Sequence, residues 1–405
     1  MAFSKMRSFL YQIKRTFLKK TAFLPYKGLR KFDLILYDNA FPHPVSGFRL
    51  EEFTVLLKAF ENSKIILDAR AYGLLNTPKS IHQKHIDDFE IQHQLNEKLQ
   101  VQKGFVNVNA KLFYCLFLNN LFDNLGWLEK FKIPFVFTLY PGGGFLIENK
   151  ESDDKLKRVF SSPMFRKVIV TQKITCDYLI DNHFCNPADI LYVFGGVVPQ
   201  QTQQIEKFRK QKYAIDKKTF DICFCAAKYT PRGVDKGYDV FIESALELAK
   251  RSDVVRFHVI GGFDENEIDV SDLSDKIKFY GYQNFEDLRT IYNKMDVIVS
   301  PNKPFLLEKG AFDGFPLGTV VEAAFNGVVG LVTDSLKQND TFADGEELII
   351  ITDANSIVSK ILELIENPER LHRISIGGRQ KFLKIYSHEM QYPSRLELLQ
   401  NEIKK

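Results

Sequence analysis

Asp296-Val297-Ile298-Val299-Ser300-Pro301, followed after a short gap by Phe312-Asp313-Gly314-Phe315-Pro316-Leu317-Gly318-Thr319-Val320-Val321-Glu322-Ala323, is where the fold can be read. Val297–Ser300 is a short run of strand formers bounded by Pro301, which reads as a buried strand. Pro316 and Gly318 stand where a helix begins, and Thr319–Asn326 has helical character. Val328–Thr333 then returns to strand. Outward from this unit the alternation continues. Asp221–Cys225, Arg256–Ile260 and Lys276–Tyr280 read as strands, and Tyr238–Lys250, Asn284–Asn293 and Ser356–Glu366 as helices, the last broken by Asn367-Pro368. Upstream, Phe32–Tyr37, Lys64–Leu67, Pro134–Leu139, Val168–Thr171 and Ile190–Val193 read as strands. Leu50–Phe60, Asp153–Phe160 and Ile174–Asp181 read as helices. Such alternation implies parallel sheets flanked by helices.

The polar stretch Gln200–Lys218, rich in Gln and Lys, separates the two alternating halves. The expected organisation is a basic N-terminal segment (1–31), a Rossmann-like domain (32–200), a linker (201–218) and a second Rossmann-like domain (219–386). A final helix within 387–405 is expected to pack back on the first domain. Two such domains form a cleft, with ligands at the carboxyl ends of the strands facing it. A chain of 405 residues is long enough for two or three cores.

Composition excludes several classes. Apolar residues at 45% and charged residues at 26% suit a soluble globular protein rather than a disordered one. Five cysteines, odd in number and without a Cys-x-x-Cys pair, fit a reducing compartment. No apolar run approaches the ~20 residues that span a bilayer, and no secretory signal is read at the start. Residues 1–200 carry a net charge of +8 and the remainder −4. Nine cations, from Lys5 to Lys31, precede the first acid, Asp33. Among them Phe3, Met6, Leu10, Ile13 and Phe17 recur at helical spacing. A basic amphipathic helix over residues 1–24 would rest on an anionic membrane surface, or else pack on the protein's own core. No nucleic-acid motif accompanies the charge.

Chemistry is expected at two loops of the second half. At Gly314, Phe315, Pro316, Leu317, Gly318 and Thr319, a helix N-terminus with uncommitted N–H groups suits a diphosphate. Glu322, one turn inside, can accept hydrogen bonds from a ribose diol, and Asp313 can bind sugar hydroxyls. The plainer alternative is an ordinary turn followed by a first-turn acid. After the strand at Cys223, the loop carrying Lys228, Arg232, Lys236 and Gly237 delivers cations suited to phosphate; solvated loop charge is the alternative. There is no Asp-x-Asp, no Gly-x-Gly-x-x-Gly, no Walker sequence and no His/Cys cluster of metal spacing.

In order and spacing, Lys228 with Lys236-Gly237, Ile260-Gly261-Gly262, Asp296 to Pro301, and Asp313-Gly314-Phe315 to Glu322-Ala323 resemble the nucleotide-sugar half of GT-B glycosyltransferases, in particular the retaining family 4. Asp344-Gly345-Glu346 before Leu348-Ile349-Ile350 adds to the likeness. The resemblance covers residues 220–385 and is architectural over 32–200. It departs from the family at Ala227-Lys228, where a Gly-Arg pair is usual, and at Asp313, where Glu is usual. Eight residues rather than seven separate Asp313 from Glu322. The resemblance implies an α/β GT-B fold with parallel sheets facing a central cleft. It also implies a metal-independent, hexosyltransferase-like enzyme with no cofactor beyond its nucleotide-sugar co-substrate. Lys228, Lys236 and Asp313 would be its catalytic residues. Ser46 and Gly47, in the loop after the first strand, would approach the donor diphosphate. His43, Tyr140, Gly142 and Gly143 would lie on the acceptor side.

The function expected is transfer of a sugar from a nucleoside-diphosphate sugar to a glycan or lipid-linked glycan, as in cell-surface polysaccharide or lipopolysaccharide biosynthesis. The site of work would be the cytoplasm, peripherally on the inner membrane face. The rival readings are a nucleotide-sugar epimerase on the same fold and a non-catalytic binding or scaffold subunit.

Overall fold

The computed structural model describes residues 31–44, 47–75, 77–95, 97–102, 108–198, 210–273 and 275–405. The basic stripe within residues 1–24 and Ser46 lie outside them. The described chain forms two parallel sheets with helices between most successive strands. The first sheet contains β1 (Lys31–Asp38), β2 (Ser63–Leu67), β3 (Leu99–Val101), β4 (Asn109–Leu116), β5 (Phe135–Leu139), β6 (Phe165–Val170) and β7 (Ile190–Tyr192), in the order β3-β2-β1-β4-β5-β6-β7. The second contains β8 (Phe220–Ala226), β9 (Val255–Gly261), β10 (Ile277–Phe279), β11 (Val297–Ser300), β12 (Val329–Thr333) and β13 (Ile349–Ile351), in the order β10-β9-β8-β11-β12-β13. Both orders reverse beside their first strand, at β1/β4 and at β8/β11. An open parallel sheet leaves a crevice for ligands at such a point. The α/β, Rossmann-like expectation holds in both halves.

The chain divides into two compact units. One takes the described residues of Met1–Leu139 with Lys155–Ile169 and Ser394–Lys405; the other takes Tyr140–Asp154 with Val170–Pro393. In the first, β1 pairs with β4 from Lys31↔Asn109 to Tyr37↔Cys115. β4 is an element that the sequence reading left out. Its first turn of polarity, Asn109 and Lys111, hides the strand, and Leu112–Leu116 then passes fully buried through the middle of the sheet. Strand β3 and the helices His82–His93, Leu118–Phe131 and Pro368–Ile385 are likewise additional. In the second unit β8 alternates between two layers. Ile222 and Phe224 pack with Phe241 and Leu248 of the helix Tyr238–Arg251. Cys223 packs with Phe315, Val320, Val321 and Phe325. Burying both faces of β8 is what a central parallel strand requires.

Candidate active site

Two glycines bring the loops together at the β8/β11 switch point. Gly237 has φ +72°, and a Cβ there would lie 2.0 Å from the Pro301 carbonyl oxygen. Gly261 has φ +121°, and its Cβ would lie 1.9 Å from the Ala226 carbonyl oxygen. Only residues without a side chain allow these backbones to touch. The loop after β8 is thereby pressed against the end of β11.

Lys236, 7% exposed, emerges from that loop. Its Nζ donates to Asp313 Oδ2 at 2.6 Å and lies 5.4 Å above the Tyr229 ring. Asn302 Nδ2 donates to the same Asp313 oxygen at 2.9 Å, and Gln338 Nε2 donates to the Asp313 carbonyl at 3.2 Å. Two of the residues read from sequence as catalytic, Lys236 and Asp313, are therefore one ion pair. The third, Lys228, is held separately by Glu267, which also accepts from the Arg232 backbone N–H at 3.2 Å. Asp313, Gly314, Phe315, Pro316 and Leu317 line an open pocket together with Ser300, Asn302, Thr333 and Gln338.

The helix Gly318–Phe325 follows with Leu317 at its N-cap and no side chain capping it. Its first N–H groups, at Gly318 and Thr319, are offered to a ligand. Space is available there, because a Cβ on Gly318 would meet nothing within 4 Å. Glu322 lies half-buried on the second turn. Burial pushes its carboxyl up from 4.5 to about 7, since desolvation disfavours the charged form. Tyr292, fully buried beneath it, donates to the Thr319 carbonyl at 3.4 Å, and burial holds the neighbouring Cys225 thiol up to about 12. The thiol is thus protonated and unreactive at neutral pH.

The acceptor-side candidates have mixed placements. Tyr140 is buried and belongs to the same compact unit as the Asp313 loop. Gly142, Gly143 and Gly144 have φ of +80°, +56° and +93° and turn the chain so that the Phe145 N–H donates to the Gly142 carbonyl at 3.0 Å. Phe145 then meets Phe312 edge-on at 5.8 Å, which seats the glycine turn beside the start of the Asp313 loop. His43 is interior rather than at the surface. It is 5% exposed, its Nε2 is 2.8 Å from Thr77 Oγ1, and its ring meets Tyr72 and His85 edge-on. Burial first, then the nearby His85 and Arg49, lowers its pKa, so it is neutral at pH 7. Gly47 opens the helix Gly47–Ala59. The loop before it is anchored by Asp38, which accepts from the Ala40 and Phe41 N–H groups at 2.7 and 2.8 Å and from Arg49 Nη1 at 2.7 Å.

Sequence reading missed Asn302, Gln338, Glu267 and Asp38. Asn302 directly follows the strand-ending Pro301 and was findable; nothing in the sequence marks the others. Among the described residues no group of three or more His, Cys, Asp or Glu side chains could hold a metal ion.

The structure of HepE from Anabaena, in complex with UDP and glucose, superposes with a TM-score of 0.63 at 13% identity, covering 92% of this chain and 99% of that one. The fold is GT-B. A glycosyltransferase from Rickettsia africae ESF-5 shares the GT-B architecture at a TM-score of 0.61 and 15% identity, over 93% of this chain and 100% of that one. A TarM mutant from S. aureus, in complex with fondaparinux, alpha-GlcNAc-glycerol and UDP, has a TM-score of 0.52 and 16% identity over 73% of this chain. This chain spans about half of TarM, 55% of its length. At these identities the likeness is one of fold. Residues 206–381 match the family model "Glycosyl transferases group 1", which places that domain in the second unit, around the Asp313 loop. No curated protein matches the chain.

Proposed function

We propose that the chain is a glycosyltransferase that moves a sugar from a nucleoside-diphosphate sugar to a hydroxyl of a glycan or glycolipid, with retention of configuration. One observation carries the reading. Inside the segment that matches group 1 glycosyl transferases, the ion-paired Asp313 loop runs into the uncapped helix at Gly318, at the β8/β11 switch point. In the proposed step the bond from the sugar's anomeric carbon to the β-phosphate oxygen breaks and its electron pair leaves with the diphosphate. The acceptor oxygen bonds to the same face of that carbon, and its proton passes to the departing phosphate. Lys236, the N–H groups of Gly318 and Thr319, and Lys228 once it exchanges Glu267 for phosphate, stabilise the growing charge. These groups do the work of a metal ion in the proposal. Glu322 holds the ribose, and Asp313 the sugar. Ser46 and Gly47 are kept for the diphosphate and Tyr140, Gly142 and Gly143 for the acceptor, and His43, which is buried, is left out.

UDP-sugars are the donors to try first, because HepE and TarM are structures with UDP. The test is release of free nucleoside diphosphate from a panel of UDP-sugars, with and without glycan acceptors and with chelator present. Acceptor-dependent release that survives chelation is expected. Conversion of donor without release would indicate an epimerase, and no turnover of any donor a binding subunit. The proposal includes a lipid-linked acceptor at the cytoplasmic membrane face, supported by the basic amphipathic stripe of residues 1–24. Liposome flotation of the full chain against one starting at Pro25 tests it: equal partitioning would reject the anchor. Among the described residues no helix is long and apolar enough to cross a membrane.

A further inference from the structure

We infer that Gln172 is a positioning residue for the Asp313–Leu317 loop, and through it for the diphosphate of the bound donor; the inference rests on the function proposed above. Gln172 follows β6 and stands at the N-cap of the helix Lys173–Asp181, yet its side chain does not cap that helix. It reaches instead to a residue 143 positions away. Its Oε1 accepts from the Phe315 N–H at 3.0 Å and its Nε2 is 3.4 Å from the Phe315 carbonyl oxygen. One amide thus engages both backbone groups of Phe315, as a neighbouring strand would, in a stretch that has no strand beside it. The amide is 3% exposed, so water cannot replace it there. Its own backbone is fixed, because the Gln172 carbonyl accepts from the Thr175 and Cys176 N–H groups at 3.1 and 3.2 Å. Gly314 fits under the amide: a Cβ there would lie 3.1 Å from Nε2.

The rest of the loop is held at its other end. Lys236, Asn302 and Gln338 fix Asp313, whereas the Gly318 and Thr319 N–H groups lie beyond Phe315. Where those N–H groups stand relative to Asp313 is set by the Phe315 backbone, and hence by Gln172. The expected consequence of losing the amide is a misplaced helix start in an otherwise intact fold. That weakens donor binding and turnover in a chain that still folds, at some cost in stability for the unpaired Phe315 groups.

The test uses UDP-glucose as probe, since its diphosphate gains no proton in the working pH range. Affinity is measured by calorimetry on the full-length chain, as the ratio of variant to wild type at each pH. Gln172→Met keeps the volume and removes both hydrogen bonds, so at least a tenfold loss of affinity is expected at every pH, beside a modest fall in melting temperature from the Phe315 groups left unpaired. Gln172→Glu carries the sharper signature. A carboxyl in this buried place has a raised pKa, and its protonated form offers one donor and one acceptor, as the amide does. Its affinity ratio should approach one at about pH 5.5 and fall at least tenfold by about pH 8. Wild-type affinity in both variants, or a pH-independent ratio for Gln172→Glu, overturns the positioning role. Failure of the wild-type chain to bind any UDP-sugar of the panel overturns the function proposed above, and the inference with it.

Discussion

Glu322 sits where burial and ligand chemistry oppose each other. A carboxyl raised to about 7 is largely protonated in mildly acidic solution, but only the carboxylate accepts both hydrogen bonds of a ribose diol. Binding therefore favours ionisation, and affinity for a nucleotide sugar should climb between about pH 6 and pH 8 and then level off. Glu322→Gln should flatten that profile and cost about 1.5–3 kcal/mol at the alkaline end; calorimetry across pH reads both. In the ligand-free protein the sign is reversed. The folded state holds this proton more tightly than the unfolded chain, so its contribution to stability falls as pH rises from 4.5 toward 7. Lys236 is the second residue with a definite expectation. It is buried against Asp313, and charge on a leaving diphosphate is greater in the transition state than in the bound donor. Lys236→Ala should lower kcat by tenfold or more, about 1.4 kcal/mol of barrier, with a smaller rise in donor KM. Steady-state kinetics separate the two, and an effect confined to KM would mean ground-state binding alone.

Among the elements, the loop after β8 and the helix at Gly318 make opposite demands on glycine. At Gly237 a side chain would collide with the Pro301 carbonyl in a left-handed conformation. Gly237→Ala should therefore destabilise by at least ~1–3 kcal/mol from the conformational strain alone, seen as a lower melting temperature. At Gly318 there is open space and an ordinary helical start. Gly318→Ala should leave the melting temperature unchanged or raise stability by up to about 1 kcal/mol. Its methyl would narrow the approach to the first helical N–H groups, so donor affinity should fall. Loss of stability in both variants would mean that the space at Gly318 is structural. The elements around these glycines were legible in sequence. Val297–Ser300 matches its expected bounds, and the helix expected at Thr319 starts one residue earlier. The reason is physical: strands buried on both faces leave uninterrupted apolar runs, and Pro316 with Gly318 punctuates the helix start. β4 was not legible, because its polar first residues and the apolar Phe117-Leu118 beyond it blur both ends.

Across the whole molecule, the last helix, Pro393–Lys404, is fastened to the first unit by charge in its interior. Arg395 Nη1 lies 3.6 Å from Glu52 Oε1, with side chains 2% and 1% exposed. Tyr114 donates to the same Glu52 oxygen and stands 2.6 Å from Thr138 Oγ1, which ties the helix Gly47–Ala59 to β4 and β5. Removing one partner of a buried pair leaves the other charge desolvated. Arg395→Ala should therefore cost about 3–5 kcal/mol in denaturant unfolding of the full chain. Replacing both charges, Arg395→Met with Glu52→Gln, should cost markedly less. Periodicity and punctuation along the chain were enough to establish an α/β protein of two parallel sheets and to mark Lys236, Asp313, the turn at Gly314–Gly318 and Glu322 as one neighbourhood. Those signals are local, since each depends on side chains a few residues apart. The pairing of Lys236 with Asp313, the capture of Lys228 by Glu267, the burial of His43 and the hold of Gln172 on Phe315 were settled only when the folded chain brought distant segments together. A polar side chain carries no mark in sequence of the partner it will meet 143 positions away; that partner is chosen by the packing of the strands and helices that deliver it.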